Sequence, residues 1–262
     1  VGCWRRERFA MLRAHSARYV GPACVLARRC GVTAPLVVHV HHLDPIAAAA
    51  IDRWVCRRAD LVVTDSDFSR GQLAGLAPQI ALVAPGVTAP PPATPATGTY
   101  ALAVGALKPR KNIRWLVERW RDVGLPLVVV GDGPERRAIA RAAGPHVRLV
   151  GHVADRVLAD YYTHAAFVVA PSRLECYAMP VATAQAAGLP CLVSDRGALP
   201  ERVTDGVTGF VRPLDGTFLA AARRLATDAA LRAAMGEAAR RRPVQTWKQA
   251  AADVRAAYAS VT

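Results

Sequence analysis

Tyr100-Ala101-Leu102-Ala103-Val104-Gly105-Ala106-Leu107-Lys108-Pro109-Arg110-Lys111-Asn112-Ile113 reads as a strand-like run, a tight glycine turn and a basic loop that opens a helix. The only asparagine of the chain and two of its three lysines fall between Lys108 and Asn112. Arginine otherwise replaces lysine almost everywhere, 31 against three. A position that keeps lysine is therefore one where a compact, mobile ammonium serves and a wide planar guanidinium does not. A strand, a glycine turn, a lysine and an asparagine set to cap the helix from Ile113 are the parts with which α/β proteins hold phosphate oxygens. The plainer alternative is a solvated loop before a capped helix.

Outward from this stretch, short β-branched runs alternate with Ala/Arg/Leu-rich segments of helical length. That pattern predicts parallel sheets covered by helices on both faces. Strands are expected at 35–40, 60–64, 80–84, 100–104, 126–130, 147–150, 166–170 and 190–193. The Pro-rich run Pro85 to Pro95 can join neither a helix nor a central strand and reads as a semi-rigid linker. The expected organisation is a shortened first lobe over 1–87, a linker over 88–98, a second domain over 99–243, and a terminal helix within 244–262. The first lobe has room for few strands, so it is either a reduced domain or lacks its beginning.

At 262 residues and 52% apolar, the chain can bury a full core. No apolar run reaches the about 18 residues that span a bilayer, and no charged segment followed by an apolar one opens the chain. Six cysteines without a C-x-x-C pair argue against a zinc site or disulfide framework and predict a reducing cytosol. The net charge of +14 invites nucleic acid, but the arginines are dispersed and no nucleic-acid-binding signature accompanies them. Attraction to an anionic membrane face or a phosphate-bearing substrate is the better use of that charge. Trp4, Phe9, Leu12 and Tyr19, interleaved with Arg5, Arg6, Arg8, Arg13 and Arg18, fit a membrane-facing helix; a surface helix packed on its own domain is the alternative.

Three further loops end strands at the carboxyl edge, where open α/β sheets bind ligands. In Val130-Gly131-Asp132-Gly133-Pro134, Gly131 and Gly133 let backbone approach a ligand and Pro134 starts a helix. Val150-Gly151-His152-Val153 is short enough for a flat ring to lie on its backbone, with His152 either facing a nucleobase or standing as an ordinary turn histidine. Pro171-Ser172-Arg173-Leu174-Glu175-Cys176-Tyr177-Ala178-Met179-Pro180 sets a carboxylate, able to accept from sugar hydroxyls, beside amides that begin a helix and suit phosphate. Glu175 has a plainer alternative as an acidic residue favourable to its own helix dipole.

Taken in order, Val104-Gly105 with Pro109-Arg110-Lys111-Asn112, Val130-Gly131-Asp132-Gly133-Pro134, Val150-Gly151-His152-Val153, Pro171-Ser172-x-x-Glu175, and Leu199-Pro200-Glu201 with Asp205-Gly206-x-x-Gly209-Phe210-Val211 closely resemble the donor domain of family 4 retaining glycosyltransferases, which have the GT-B fold. The resemblance runs from about residue 55 onward. Upstream, Ala59 to Ser66 with Pro85-Gly86-Val87 resembles the last βα segment of that family's acceptor domain. Val37 to His42 is similar to its strand ending in a His-Asp pair.

The resemblance implies transfer of a sugar from a nucleotide-diphosphate sugar to a saccharide or lipid-linked acceptor hydroxyl, with retained configuration. It implies two Rossmann-like lobes and no metal or other cofactor, because Lys111, Arg110 and a helix N-terminus cradle the diphosphate. Glu175, Lys111 and His41 become the catalytic set, His41 from the other lobe. Gly105, Arg110, Asn112, Gly131, Gly133, His152, Val153, Tyr177, Ala178, Met179 and Thr183 join Lys111 and Glu175 in holding the donor. The terminal helix would cross back to brace the first lobe. The implied location is the cytoplasm, with the inner face of the plasma membrane as a variant. The chain departs from the pattern at Thr183, where a second glutamate is usual, at Ala106, where an arginine is usual and Arg110 is a substitute, and at Cys176-Tyr177-Ala178, where Gly-Phe-Gly is usual. These departures leave a different class as the alternative: a partial nucleotide-sugar-binding module that acts with a partner chain.

Overall fold

A computed structural model describes residues 9–41 and 49–262, which form two compact units. Val1–Gly86 with Gln245–Thr262 make the first and Val87–Val244 the second.

The first unit is built on four strands: β1 (Leu12–Ala14), β2 (Leu36–Val40), β3 (Leu61–Thr64) and β4 (Ile80–Leu82), parallel and adjacent in that order. Central strands β2 and β3 are buried along their whole length, as strands covered on both faces must be. Val38, Val40 and Val62 pack on one face with residues of helices α1 (Gly21–Arg29) and α2 (Ala49–Cys56), including Val25, Val55 and Cys56. Val37, Leu61 and Val63 face the other way, toward Val254, Ala257 and Tyr258 of the last helix, Trp247–Ala259. That helix starts with a full capping box between Thr246 and Gln249. Helix α3 (Asp67–Leu73) follows β3 and is capped by Ser66.

The second unit holds six parallel strands: β5 (Ala101–Val104), β6 (Leu127–Val130), β7 (Val147–Gly151), β8 (Phe167–Ala170), β9 (Cys191–Ser194) and β10 (Gly209–Arg212). Their spatial order is β10-β9-β8-β5-β6-β7. The order runs outward from the β5/β8 pair in both directions, which is the doubly wound arrangement with its switch point between those two strands. Helices α4 (Ile113–Arg119), α5 (Arg136–Ala142), α6 (Asp155–His164), α7 (Met179–Ala186), α8 (Leu199–Arg202), α9 (Gly216–Thr227) and α10 (Ala229–Arg240) follow; the terminal Trp247–Ala259 is α11. One core layer packs Leu116, Trp120 and Phe218 against Leu127 and Phe167, and the opposite layer packs Tyr162, Val181 and Leu189 against Leu102, Val168 and Val193.

Residues 88–98 are not a free linker. They group with the second unit and are tied down by hydrogen bonds: Ala93 N–H donates to Ala187 O at 2.8 Å, and the buried Arg232 side chain, anchored on Leu225 O of α9 (2.7 Å), donates to Pro95 O (2.7 Å) and Ala96 O (2.9 Å). Proline removes donors from this segment, so carbonyls that have no backbone partner are satisfied by arginine instead. A second correction concerns the first thirty residues, where no continuous amphipathic helix forms among the described residues. Leu12 lies in a strand, Phe9 and Tyr19 are exposed outside the helices, and Trp4, Arg5, Arg6 and Arg8 lie outside the described residues. Among the described residues no helix is long and apolar enough to cross a membrane.

Candidate active site

The switch point places the loops after β5 and β8 side by side at the carboxyl edge of the second sheet. The loop after β5 turns at Gly105 (φ 148°) and forms a 3-10 turn over Pro109–Lys111. This turn docks on the loop after β8: Arg173 N–H donates to Arg110 O at 2.7 Å, and Arg110 Nη1 to Leu174 O at 3.4 Å.

Glu175 lies at the centre, only 6% exposed. One carboxylate oxygen accepts from Lys111 Nζ and from Ser172 Oγ at 2.8 Å, while the other lies 3.5 Å from Arg110 Nη1. A carboxylate this deep must be paired and hydrogen-bonded to stay charged, and all three partners come from these two loops. Two cations face one carboxylate, so the cluster carries a surplus positive charge at the sheet edge. Lys111 also packs against the face of Gly105 that lacks a side chain; a methyl there would sit 3.4 Å from its Cε.

The glycines of the neighbouring loop meet this one at backbone distance. Gly105 N–H donates to Val130 O (3.0 Å), Leu107 N–H to Asp132 O (2.9 Å) and Glu135 N–H to Leu107 O (3.0 Å). A Cβ on Gly131 would run into the Gly105 carbonyl, and one on Gly133 would lie 2.7 Å from Leu107 O. Their role is thus loop-to-loop closure, which accounts for Gly-Asp-Gly without appeal to a ligand.

Asn112 does not cap α4 with its side chain. It is buried and left-handed (φ 57°), a conformation that asparagine tolerates better than most residues. Ala178 is the other non-glycine residue at positive φ (65°) among the described residues, at the N-cap of α7, whereas Cys176 does not share it. The turn that glycine usually makes is thus kept, with Ala178 carrying the strain. Tyr177 is buried beneath Arg202, whose guanidinium lies 4.6 Å from the ring centroid. Met179 opens α7, with Thr183 half-buried one turn further on. His152 is exposed and Val153 half-buried after β7, two strands from β5 along the sheet. His41 belongs to the first unit, where Asp65 holds its Nδ1 at 3.0 Å. That hydrogen bond raises its pKa. Its neighbour His39 is pushed down to about 4 by burial, then by His15, His41 and Arg13.

Three contributors escaped the sequence reading. Ser172 was part of a motif but had no role assigned; its own carbonyl accepts from Ser194 Oγ at 2.5 Å, fixing the loop. Gly197 (φ 61°) lies so close that any Cβ would strike Glu175 O, and Ala198 N–H donates to that same oxygen at 2.8 Å. Arg136 opens α5 and pairs with Asp132 at 3.5 Å, its guanidinium beside Gly151. The first and third stand in plain view as polar residues after a strand and at the start of a helix; the second needs the three-dimensional approach.

Two α/β units with parallel sheets, the second doubly wound and carrying a basic cluster at its switch point, define the GT-B class. The family described as Glycosyl transferases group 1 matches residues 98–228, half of the chain, and the chain belongs to it. It is similar to a glycogen synthase of Mycobacterium tuberculosis, 29% identical over 86% of this chain and 61% of that protein. The chain thus spans less than two thirds of that relative. Its fold matches the sucrose-phosphate synthase of Thermosynechococcus elongatus with a TM-score of 0.83 at 20% identity, covering 99% of this chain and 75% of the other. It matches Anabaena HepE, solved in complex with UDP and glucose, with a TM-score of 0.79 at 18% identity over 96% of this chain and 78% of that one.

Proposed function

We propose that this chain transfers a sugar from a nucleotide-diphosphate donor to an acceptor hydroxyl, with retention of configuration and without a metal. The observation that carries the reading is the buried Glu175 held by Lys111, Arg110 and Ser172 at the switch point. A diphosphate entering beside this cluster meets more positive than negative charge, and Lys111 exchanges part of its bond to Glu175 for phosphate oxygens. Cations already in place as the nucleotide leaves do the work that Mg²⁺ does elsewhere. Freed in part from Lys111, Glu175 accepts from hydroxyls of the transferred sugar, and the amides of Tyr177, Ala178 and Met179 face the phosphate at the start of α7. His152 and Val153 offer backbone to the base, Thr183 takes the ribose side, and His41 serves the acceptor side. UDP is the first nucleotide to try, since HepE was solved with it. The acceptor is a saccharide or lipid-linked hydroxyl, and the reaction runs in the cytoplasm, with anionic membrane as a surface that a +14 chain is drawn to.

The test is calorimetric titration with UDP, GDP and their sugar conjugates, with and without EDTA. Saturable binding unaffected by EDTA, lost in Lys111→Ala and Glu175→Ala, is expected; NMR of the product then reads the anomeric configuration. Absence of binding at millimolar ligand would overturn the reading in favour of a module that needs a partner chain.

A further inference from the structure

We propose that His15, His39 and His41 in the first unit form a binding site for one divalent transition ion of the zinc class. The sheet assembles the triad. Ala14 pairs with Val38 in the parallel β1/β2 ladder, so His15, the next residue, continues beside His39. His41 is two residues beyond His39 and shares its side of the chain by the period of an extended strand.

One ring nitrogen of each histidine lies within 4.8 Å of the other two, and the ring centroids are 4.8, 5.6 and 6.1 Å apart. Zinc holds imidazole nitrogens at about 2.0–2.1 Å, which sets tetrahedral ligands about 3.3 Å from one another. The required contraction is at most about 1.5 Å on that geometry, and the exposed side chains of His15 and His41 can make it.

The opposite ring nitrogens already have the partners that orient metal-bound imidazoles. His41 Nδ1 is bonded to both Asp65 oxygens, at 3.0 and 3.1 Å, which leaves Nε2 with its lone pair. His39 Nε2 is 2.7 Å from the Tyr258 hydroxyl, and with that N–H donated, Nδ1 keeps its lone pair for an ion. A carboxylate or hydroxyl behind each ring is the usual outer shell of a histidine metal site. Arg18 is paired with Asp52 at 3.6 Å, whereas Arg13 donates to the neutral Tyr258 hydroxyl at 3.3 Å and keeps its charge beside the triad, which weakens the hold on a cation without occupying a ligand position. Beside the triad lies a cavity of about 200 Å³, lined also by Ser16 and Tyr19, with room for water in an open fourth position. An all-imidazole set suits zinc, copper or nickel and not the oxygen-seeking magnesium or calcium. The ion would take His41 Nε2, so its occupancy and the use of His41 in transfer exclude one another.

The 262-residue chain, stripped with chelator, is to be titrated with Zn²⁺ by calorimetry and with Co²⁺ by visible absorption. One ion per chain, a d–d band and a Tm raised by Zn²⁺ are expected. His15→Ala, at an exposed position, should abolish the band, and Tyr258→Phe should weaken the ion by about 10- to 100-fold. No binding at submillimolar ion would overturn the site. So would equal affinity in His15→Ala, which would locate the ion on histidines such as His146 or His164. Neither readout depends on nucleotide binding or sugar transfer.

Discussion

Ala178 holds a left-handed backbone where glycine would be free of strain, at a cost of about 1–2 kcal/mol. Ala178→Gly should therefore raise stability by about 0.5–1 kcal/mol, once the added freedom of the unfolded chain is subtracted. Denaturant unfolding monitored by circular dichroism measures it, and a loss of stability would show that the turn does not need its present φ. Lys111→Arg should bind nucleotide at least about tenfold more weakly than wild type, because a planar fork cannot lie along Gly105 and still reach Glu175. Equal affinity would remove the special status of this lysine. Thr183→Glu is expected to tighten nucleotide binding by restoring a carboxylate, worth about 1–2 kcal/mol to a ribose hydroxyl; unchanged affinity would move Thr183 away from the ribose. Lys111 was legible in the sequence because lysine is rare in this chain, and Arg110 and Glu175 because they stand in loops that follow strands within the ordered set of motifs. The left-handed role of Asn112 and the contact of Gly197 with Glu175 were not, because both depend on backbone geometry that residue type alone does not encode.

At the scale of elements, all eight expected strands are present with ends within two residues of the expectation. β1 and β10 were missed because neither is a continuous apolar run: Arg13 interrupts β1, and β10 holds only Phe210 and Val211 between Gly209 and Arg212. Strand order was beyond the sequence, because nothing local tells β5 to lie beside β8 instead of a nearer neighbour. The segment 88–98 was misread because its partner, Arg232, lies 137 residues from Pro95. Removal of that side chain in Arg232→Leu leaves buried carbonyls without donors and should destabilise the second unit by about 2–4 kcal/mol. Calorimetric melting checks it; a change below about 0.5 kcal/mol, the usual size at ordinary surface sites, would mean the strap is held by other means.

For the whole molecule, the scattered cysteines report on opening. Cys30 is exposed, whereas Cys56 and Cys191 are buried with thiol pKa values raised by burial, that of Cys56 to about 11. Native alkylation followed by mass spectrometry should label Cys30 first among the described cysteines and leave Cys56 and Cys191 until unfolding. Early labelling of Cys191 would reveal local opening of the second sheet. The order in which the chain is made sets a further condition. The face of the first sheet formed by Val37, Leu61 and Val63 is covered by α11, so residues separated by the entire second unit must meet. At about 5–20 residues per second, the ribosome spends roughly 8–30 s on the intervening stretch. During that interval the nascent first lobe presents an apolar sheet surface with its cover still unmade, a natural station for a holding chaperone and the moment at which this protein is most exposed to aggregation.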